Sequence, residues 1–445
     1  SVEAPDANEV LYNAGVCFEL GTSLGGAIRV FETLHRQAPK STLAVRALAR
    51  LGTLYATTAQ YREAAERFEA YAANHAGLAD AGRALSDAVS FRKGLGDDPQ
   101  AIADTENFIA MFGAKRPAEA AGAYFSLIAI YEKQGDPDRL AHHLRAYLDR
   151  YGAIGGADRR VIAWAKLGDV LWQEACPVAT SDGACVKVMH RESPGRRRAQ
   201  VIATGIPRRC GDDTRVELTV VPRDDRKVRA ATAAFAHAIA DYEHAGALPG
   251  DARGAFYHYA FARFRRAERD YERYLAMAIP GSLDFDTRKP WLAATSHKRF
   301  DEWVAGKTAL GARLRAQYQP LTALGDAAIA IAAAARIAAI SHNLAAQLYR
   351  AEIPANLRTG PYAEDSTTAY CEALEQVAEP LENEALGYYQ ACLNTSTKLG
   401  WFSEWSRICE RELGQLRPDR FPSTRELRRE PSAVATITQL ETAAR

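Results

Sequence analysis

The residues best placed to do covalent chemistry are the seven cysteines, Cys17, Cys176, Cys185, Cys210, Cys371, Cys392 and Cys409. They form an odd set without the paired C-x-x-C spacing of a zinc ribbon, so a structural zinc site is not expected. Six of them fall into two triplets, one central and one late in the chain, which points to local disulfides in an oxidising compartment. Buried free thiols in a cytosolic helical protein are the alternative. Cys176 and Cys185 enclose a Pro-to-Gly turn, "PVATSDGA", short enough to close as a loop. Either these two pair, or one of them pairs with Cys210, pinning a segment with little core of its own. In the late triplet one bridge is expected, leaving one thiol over.

Other chemistry needs constellations that the chain lacks. There is no HExxH for a zinc protease, no GxxxxGK[ST] for nucleotide phosphates and no GxSxG nucleophile elbow. His142 and His143 are adjacent and must point to different faces of a helix, so they cannot chelate one metal, and a solvated face is expected there. "GLGDDP" at Gly94 follows a helix and lacks the strand-loop-helix setting of a phosphate loop, which makes it a turn. No catalytic residues, cofactor or metal are therefore expected, and the chain reads as a non-enzyme. Positive charge concentrates at Arg196, Arg197, Arg198, Arg208 and Arg209. No aromatic residues are interleaved there to stack bases, so a solvated loop or a protein-docking surface is expected rather than a nucleic-acid site. A formal net charge of +1 provides no global field towards nucleic acid or an anionic membrane.

The elements that must carry these residues are helical. Alanine dominates the apolar share, and alanine-rich helices pack closely against one another. The run Ala327 to Ile340 is too short for a membrane span and is interrupted by Arg336, so a packed internal helix is expected. The chain opens at Ser1 without a leader, as a processed or trimmed form would. Along the first third, large and small residues recur in register. Leu11, Ala14, Gly15 and Phe18 are followed by Ala27, Phe31 and Pro39; then come Leu48, Leu51, Gly52 and Tyr55 with Ala64 and Phe68. Phe31 and Phe68 are 37 residues apart. A weaker unit spans Gly82 to Phe112, with Phe91 and Phe108 as anchors and Asp98-Pro99 as cap and first-turn proline. A fourth has Tyr124, Leu127, Ile128 and Tyr131 on one helix and Asp136-Pro137 opening the next, with Leu140, Leu144 and Tyr147. Trp164, Leu167, Gly168 and Leu171 begin a fifth.

This spacing resembles the tetratricopeptide repeat, about 34 residues of paired helices with interlocking small and aromatic positions. The resemblance covers about residues 8 to 173. It implies an all-α fold, a right-handed α-solenoid of helical hairpins with a concave face. After Glu174 the pattern stops, and "RVELTVVP" from Arg215 to Pro222 is the one convincing strand. The expected organisation is N-terminal repeats at 1–175, an irregular β-containing, disulfide-prone insertion with its own structure at 176–229, C-terminal helical repeats at 230–416 and an extended tail at 417–445. In the C-terminal part a long polar helix is expected over Pro290–Gln319, and Ala385 and Tyr389 repeat the A-x3-aromatic spacing. "CPVATSDGACVKV" and the run from "AEPLENEALGYYQACL" to "RPDRFP" resemble tetratricopeptide proteins of myxobacteria and related deltaproteobacteria, some of them envelope proteins of adventurous gliding motility.

That resemblance implies a protein-protein interaction scaffold, periplasmic or outer-membrane-associated, touching the membrane only through a partner or an N-terminal anchor. The alternative is a cytosolic adaptor for a peptide or helix. Repeat geometry directs Tyr12, Arg46, Phe125, Asp169 and Trp172 to the concave face as expected partner contacts, although packing against adjacent repeats is an equal reading for Phe125 and Trp172.

Overall fold

The computed structural model of the chain describes residues 6–191, 215–246 and 253–422. It is all-α apart from one small sheet, and it divides into two compact units, Ser1–Val170 and Leu171–Arg445.

The first unit is a succession of antiparallel helix pairs. α1 (Ala7–Leu20) pairs with α2 (Leu24–Gln37), α3 (Thr42–Thr57) with α4 (Tyr61–Asn74), and α5 (Ala81–Leu95) with α6 (Asp98–Phe112). The next pair opens with a helix interrupted at Leu127, giving α7 (Pro117–Ser126) and α8 (Ile128–Gln134), and closes with α9 (Pro137–Tyr151); α10 (Ala157–Glu174) follows. Helix starts follow local chemistry. The Asp136 carboxylate accepts from Arg139 N at 3.0 Å and Pro137 fills the first turn. For α6 the cap position is Asp97, one residue before the expected Asp98, with Pro99 still in the first turn.

The small-aromatic interlock is literal. A Cβ on Gly15 would lie 2.7 Å from Phe31 Cδ1, and one on Gly52 would lie 2.6 Å from Phe68 Cδ1. Each glycine lets a phenyl ring of the second helix lie directly on the backbone of the first. Gly52→Ala should therefore cost about 1–3 kcal/mol by overpacking, against the gain of up to about 1 kcal/mol that alanine offers inside a helix. An unchanged urea midpoint would show that the ring moves freely and that the interlock is not tight.

A second, polar interlock repeats at the same interval. Glu32 and Glu69 each follow an anchor phenylalanine, and each reaches the first helix of the next pair. Glu32 accepts from Tyr55 Oη at 3.0 Å and from Arg67 Nε at 2.9 Å; Glu69 accepts from Arg92 Nε at 2.7 Å and Nη2 at 3.0 Å. Tyr55 and Arg92 have the same 37-residue separation as the two phenylalanines. Further ion pairs join neighbouring pairs: Arg50 with Glu19, Lys133 with Asp98 and Lys166 with Glu132.

In the second unit, β1 (Val186–Arg191) and β2 (Arg215–Val220) form an antiparallel ribbon with Val186 opposite Val220. Around it lie α11 (Asp225–His244), α12 (Arg253–Ala276), α13 (Pro290–Tyr318), α14 (Ala327–Tyr349), α15 (Ala363–Leu399) and α16 (Glu404–Leu416). α14 runs to Tyr349, and its 23 residues are long and apolar enough to cross a membrane by length and composition, contrary to the short run expected. It is nevertheless the central helix of this unit, packed by α12, α13, α15 and α16. Ala385 and Tyr389, exposed by 0% and 2%, lie in the core between α14, α15 and α16.

Candidate functional site

In the first unit, exposed stripes of consecutive first helices enclose a groove. One cavity of about 590 Å³ lies between α3 and α5, lined by Arg50 and Thr53 on one side and Arg83, Ala84 and Asp87 on the other, with Phe68, Tyr71 and Asp80 at its base. A second, of about 540 Å³, continues from α5 to α7, lined by Ser86, Ser90, Lys93, Glu119, Gly122, Ser126 and Arg159. The two share α5. Arg83, Ser86, Asp87 and Ser90 are exposed along it at helical spacing, so a single helix presents a cation and a carboxylate to the first cavity and two hydroxyls to the second.

The polar groups are held by specific contacts. Tyr71 Oη donates to Asp80 Oδ1 at 2.6 Å, and burial together with that carboxylate pushes the phenol up to about 12. Burial raises the Asp87 carboxyl, partly offset by Arg83. Burial lowers the Lys93 ammonium, which donates to the Ser126 carbonyl at 3.2 Å. The Arg159 guanidinium lies over Gly122, where an added Cβ would meet Nη1 at 3.3 Å.

None of the expected partner contacts lines either cavity; Tyr12 and Arg46 lie beside Arg50, which lines the first. Tyr12 is half-buried against Phe31, with ring centroids 5.7 Å apart, and Arg50 lies 5.9 Å from its ring. Arg46 is exposed one turn before Arg50 on α3. Phe125 is half-buried and packs edge-on against Tyr147 at 5.2 Å, a contact within its own helix pair. Asp169 is half-buried on α10. Trp172 is not a surface residue: it is 2% exposed, with the Arg223 guanidinium 4.1 Å from its ring. Its ring covers a buried ion pair, a role that repeat spacing cannot reveal. His142 is exposed as expected, but its neighbour His143 is buried, with Tyr124 and Tyr131 ring centroids at 4.3 and 4.7 Å. The polar stripe on α5 has no signature in the repeat spacing, which marks only the small and aromatic anchors.

Cys176 pairs with Cys185 and Cys392 with Cys409. Cys371 is also disulfide-bonded, so it is not the leftover thiol of its triplet; Cys17 is free and exposed. Cys210 and the arginines Arg196, Arg197, Arg198, Arg208 and Arg209 lie outside the described residues, as does the tail beyond 422.

The Cys176–Cys185 loop is not the independent insertion expected. Its turn at Asp182 and Gly183, both at positive φ, is held by the helices of the second unit. Arg336 of α14 donates to the Asp182 carbonyl at 2.8 Å, and Arg411 of α16 donates to its carboxylate at 2.8 and 3.2 Å. Cys185 N donates to Glu272 Oε1 at 2.8 Å, and the Arg223 guanidinium clamps the same carboxylate at 2.6–3.0 Å. Ala184 and Val186 join the apolar core of this unit.

The class defined by this geometry is a helical-hairpin repeat chain with a polar groove on its first helices. No family model and no curated protein matches the chain. Among solved structures, the tetratricopeptide-repeat domain of P58(IPK) aligns with 93% of this chain and 98% of that domain, at 10% identity and a TM-score of 0.22. At that score the likeness carries no argument. The repeat assignment stands on the glycine-phenylalanine interlocks and their shared interval.

Proposed function

We propose that the chain is a non-catalytic scaffold whose N-terminal groove holds an extended segment of a partner protein. The observation that supports this reading is the α5 stripe, with Arg83, Ser86, Asp87 and Ser90 exposed between two adjoining cavities of about 590 and 540 Å³. An extended segment leaves its backbone N–H and C=O groups unpaired, and a wall carrying both donors and acceptors satisfies them. Peptides selected from a random library on the intact protein should lose at least tenfold in affinity on Arg83→Glu combined with Asp87→Arg. Both residues are exposed, so the fold is retained. Selected peptides that bind this variant equally would overturn the assignment.

The proposed compartment is an oxidising one, the periplasm or outer-membrane side of a bacterial envelope, and the resemblance noted above suggests an assembly of gliding motility as its setting. The Cys176–Cys185 and Cys392–Cys409 disulfides support the compartment. In protein isolated from its own cells under thiol-blocking conditions, Cys176, Cys185, Cys392 and Cys409 should resist alkylation until reduced, as read by intact mass. Alkylation of all four without reductant would favour the cytosolic adaptor instead.

A further inference from the structure

The second unit has its own concavity, an apolar groove of about 810 Å³ between α13 and α15 with α14 beneath. Ala305, Ala309 and Ala312 form one wall, Ala373 and Val377 the other, and Leu348 and Leu374 the floor. Small-molecule sites have roughly 300–1,000 Å³ and a mostly apolar lining with a few placed polar groups, and this groove has both properties. Its polar groups are unevenly distributed. His297 and Asp301, both exposed, are one turn apart on α13 and so are neighbours at one end. From Asp301 to Ala312, about 16 Å of helix, Thr308 is the single polar side chain of that wall. Aromatic rings gather at the Asp301 end. The Phe285 centroid is 4.7 Å from that of His297 and 6.4 Å from that of Tyr370, and Phe300 precedes Asp301 in the lining. The Tyr370 hydroxyl donates to the Glu352 carbonyl at 3.3 Å, which leaves its ring for the groove. Asp301 is the one carboxylate of the lining, and among the described residues no ion pair or hydrogen bond engages it. The lining contains no Lys or Arg. Lys298 and Arg299, next to it in sequence, are engaged elsewhere, with Glu302 at 3.9 Å and the Gly281 carbonyl at 3.2 Å.

We propose that this groove binds a small organic cation with a long apolar body, its ammonium head at Asp301 among Phe285, Phe300 and Tyr370 and its body along the alanine wall. The charge follows from the lining. A carboxylate without a partner, beside aromatic faces that carry negative charge density, attracts an ammonium group twice over. The surrounding field has the same sign: from Ala363 to Thr397, α15 has seven acidic residues and no Lys, Arg or His, with Asp365, Glu372 and Glu379 exposed. An anionic amphiphile such as a fatty acid would meet Asp301 with no cation in the lining to receive it. The apolar body follows from the rest of the wall, which offers methyl groups and one hydroxyl and so cannot pair the N–H and C=O groups of an extended peptide. This site is separate from the N-terminal groove and does not depend on the reading of that groove.

The test uses the full chain and fluorescent probes that share one rod-like apolar body and differ in head charge: diphenylhexatriene, its trimethylammonium derivative and its propionate derivative. The ammonium probe should bind about tenfold more tightly than the neutral one, and the propionate more weakly than either. Asp301→Asn, at an exposed position, should bring the ammonium probe down to the affinity of the neutral one and leave the neutral one unchanged. Ala309→Trp and Val377→Trp fill the groove from opposite walls, also at exposed positions, and each should remove the binding of all three probes while the circular dichroism spectrum stays unchanged. Equal affinities for the three probes, no binding of any, ammonium binding insensitive to Asp301→Asn, or binding indifferent to both tryptophan variants would overturn the proposal. Concentration-dependent dimerisation of the unsubstituted chain, abolished by Ala309→Trp, would assign the groove to a second copy and overturn it as well.

Discussion

Replacing Arg336 by methionine should lower the stability of the C-terminal unit by about 3–5 kcal/mol, because it strands a buried carboxylate. Arg336 and Glu268 are 2% and 1% exposed. The guanidinium donates twice to that carboxylate, at 2.9 and 2.6 Å, and lies between the rings of Tyr271 and Trp405, whose centroids are 4.2 and 4.5 Å away. Burial alone would raise the Glu268 carboxyl, but Arg336, helped by Arg265 and the Tyr318 hydroxyl, holds it below its ordinary value. Without Arg336 the carboxyl must take up a proton or remain as a naked charge. The double variant with Glu268→Leu removes both charges and should recover most of the loss, since a buried pair gains little over an apolar pair of similar size. Full recovery is not expected: Tyr318 Oη then loses its acceptor and the Asp182 carbonyl its donor. Urea denaturation of the single and double variants measures this, and a single variant within 1 kcal/mol of the parent would show that water reaches the site.

Asp104→Asn should stabilise the N-terminal unit by about 2–4 kcal/mol at pH 8 and by almost nothing at pH 4. The Asp104 side chain is 2% exposed beside Glu69, and burial, then the Glu69 charge, pushes its carboxyl up to about 7. Between pH 4 and 7 the folded chain therefore keeps a proton that the unfolded chain releases. Stability falls as pH rises across that window, by about 1.4 kcal/mol per unit for one group, and is flat above it. His143 works in the opposite sense. Burial pushes it down to about 4, although its hydrogen bond to the Tyr124 carbonyl partly offsets this. Below pH 6.5 the unfolded chain takes a proton that the folded chain refuses, so this contribution is lost as pH falls from 6.5 to 4. The two slopes oppose each other over pH 4–6.5. Asp104→Asn removes one of them, so the variant should lose more stability than the parent as pH falls from 6.5 to 4. Equal losses in variant and parent over that window would sink the assignment.

The repeat anchors were legible because they obey a period. Gly15 with Phe31 and Gly52 with Phe68 are local pairs whose size complementarity is written in residue type, and they meet as the spacing requires. The Cys176–Cys185 bridge was legible in part, as a short loop that can close. Its attachment was not, because Asp182 meets Arg336 and Arg411 across 154 and 229 residues of chain. Nothing periodic links such positions. Trp172 was misplaced for the same reason: a first-helix register puts it on a face, and only the arrival of Arg223, 51 residues later, buries it.

By itself, then, the sequence determined the helical class, the hairpin interval of the first unit and the residues that interlock within it, since these depend on contacts between neighbours in the chain. Tertiary structure decided which polar groups share a groove, which charges are buried in pairs, and that the described part of the expected insertion is built into the second unit. Those outcomes turn on desolvation and on partners distant in sequence, and a side chain's type and spacing do not record whether water or another residue will be its neighbour.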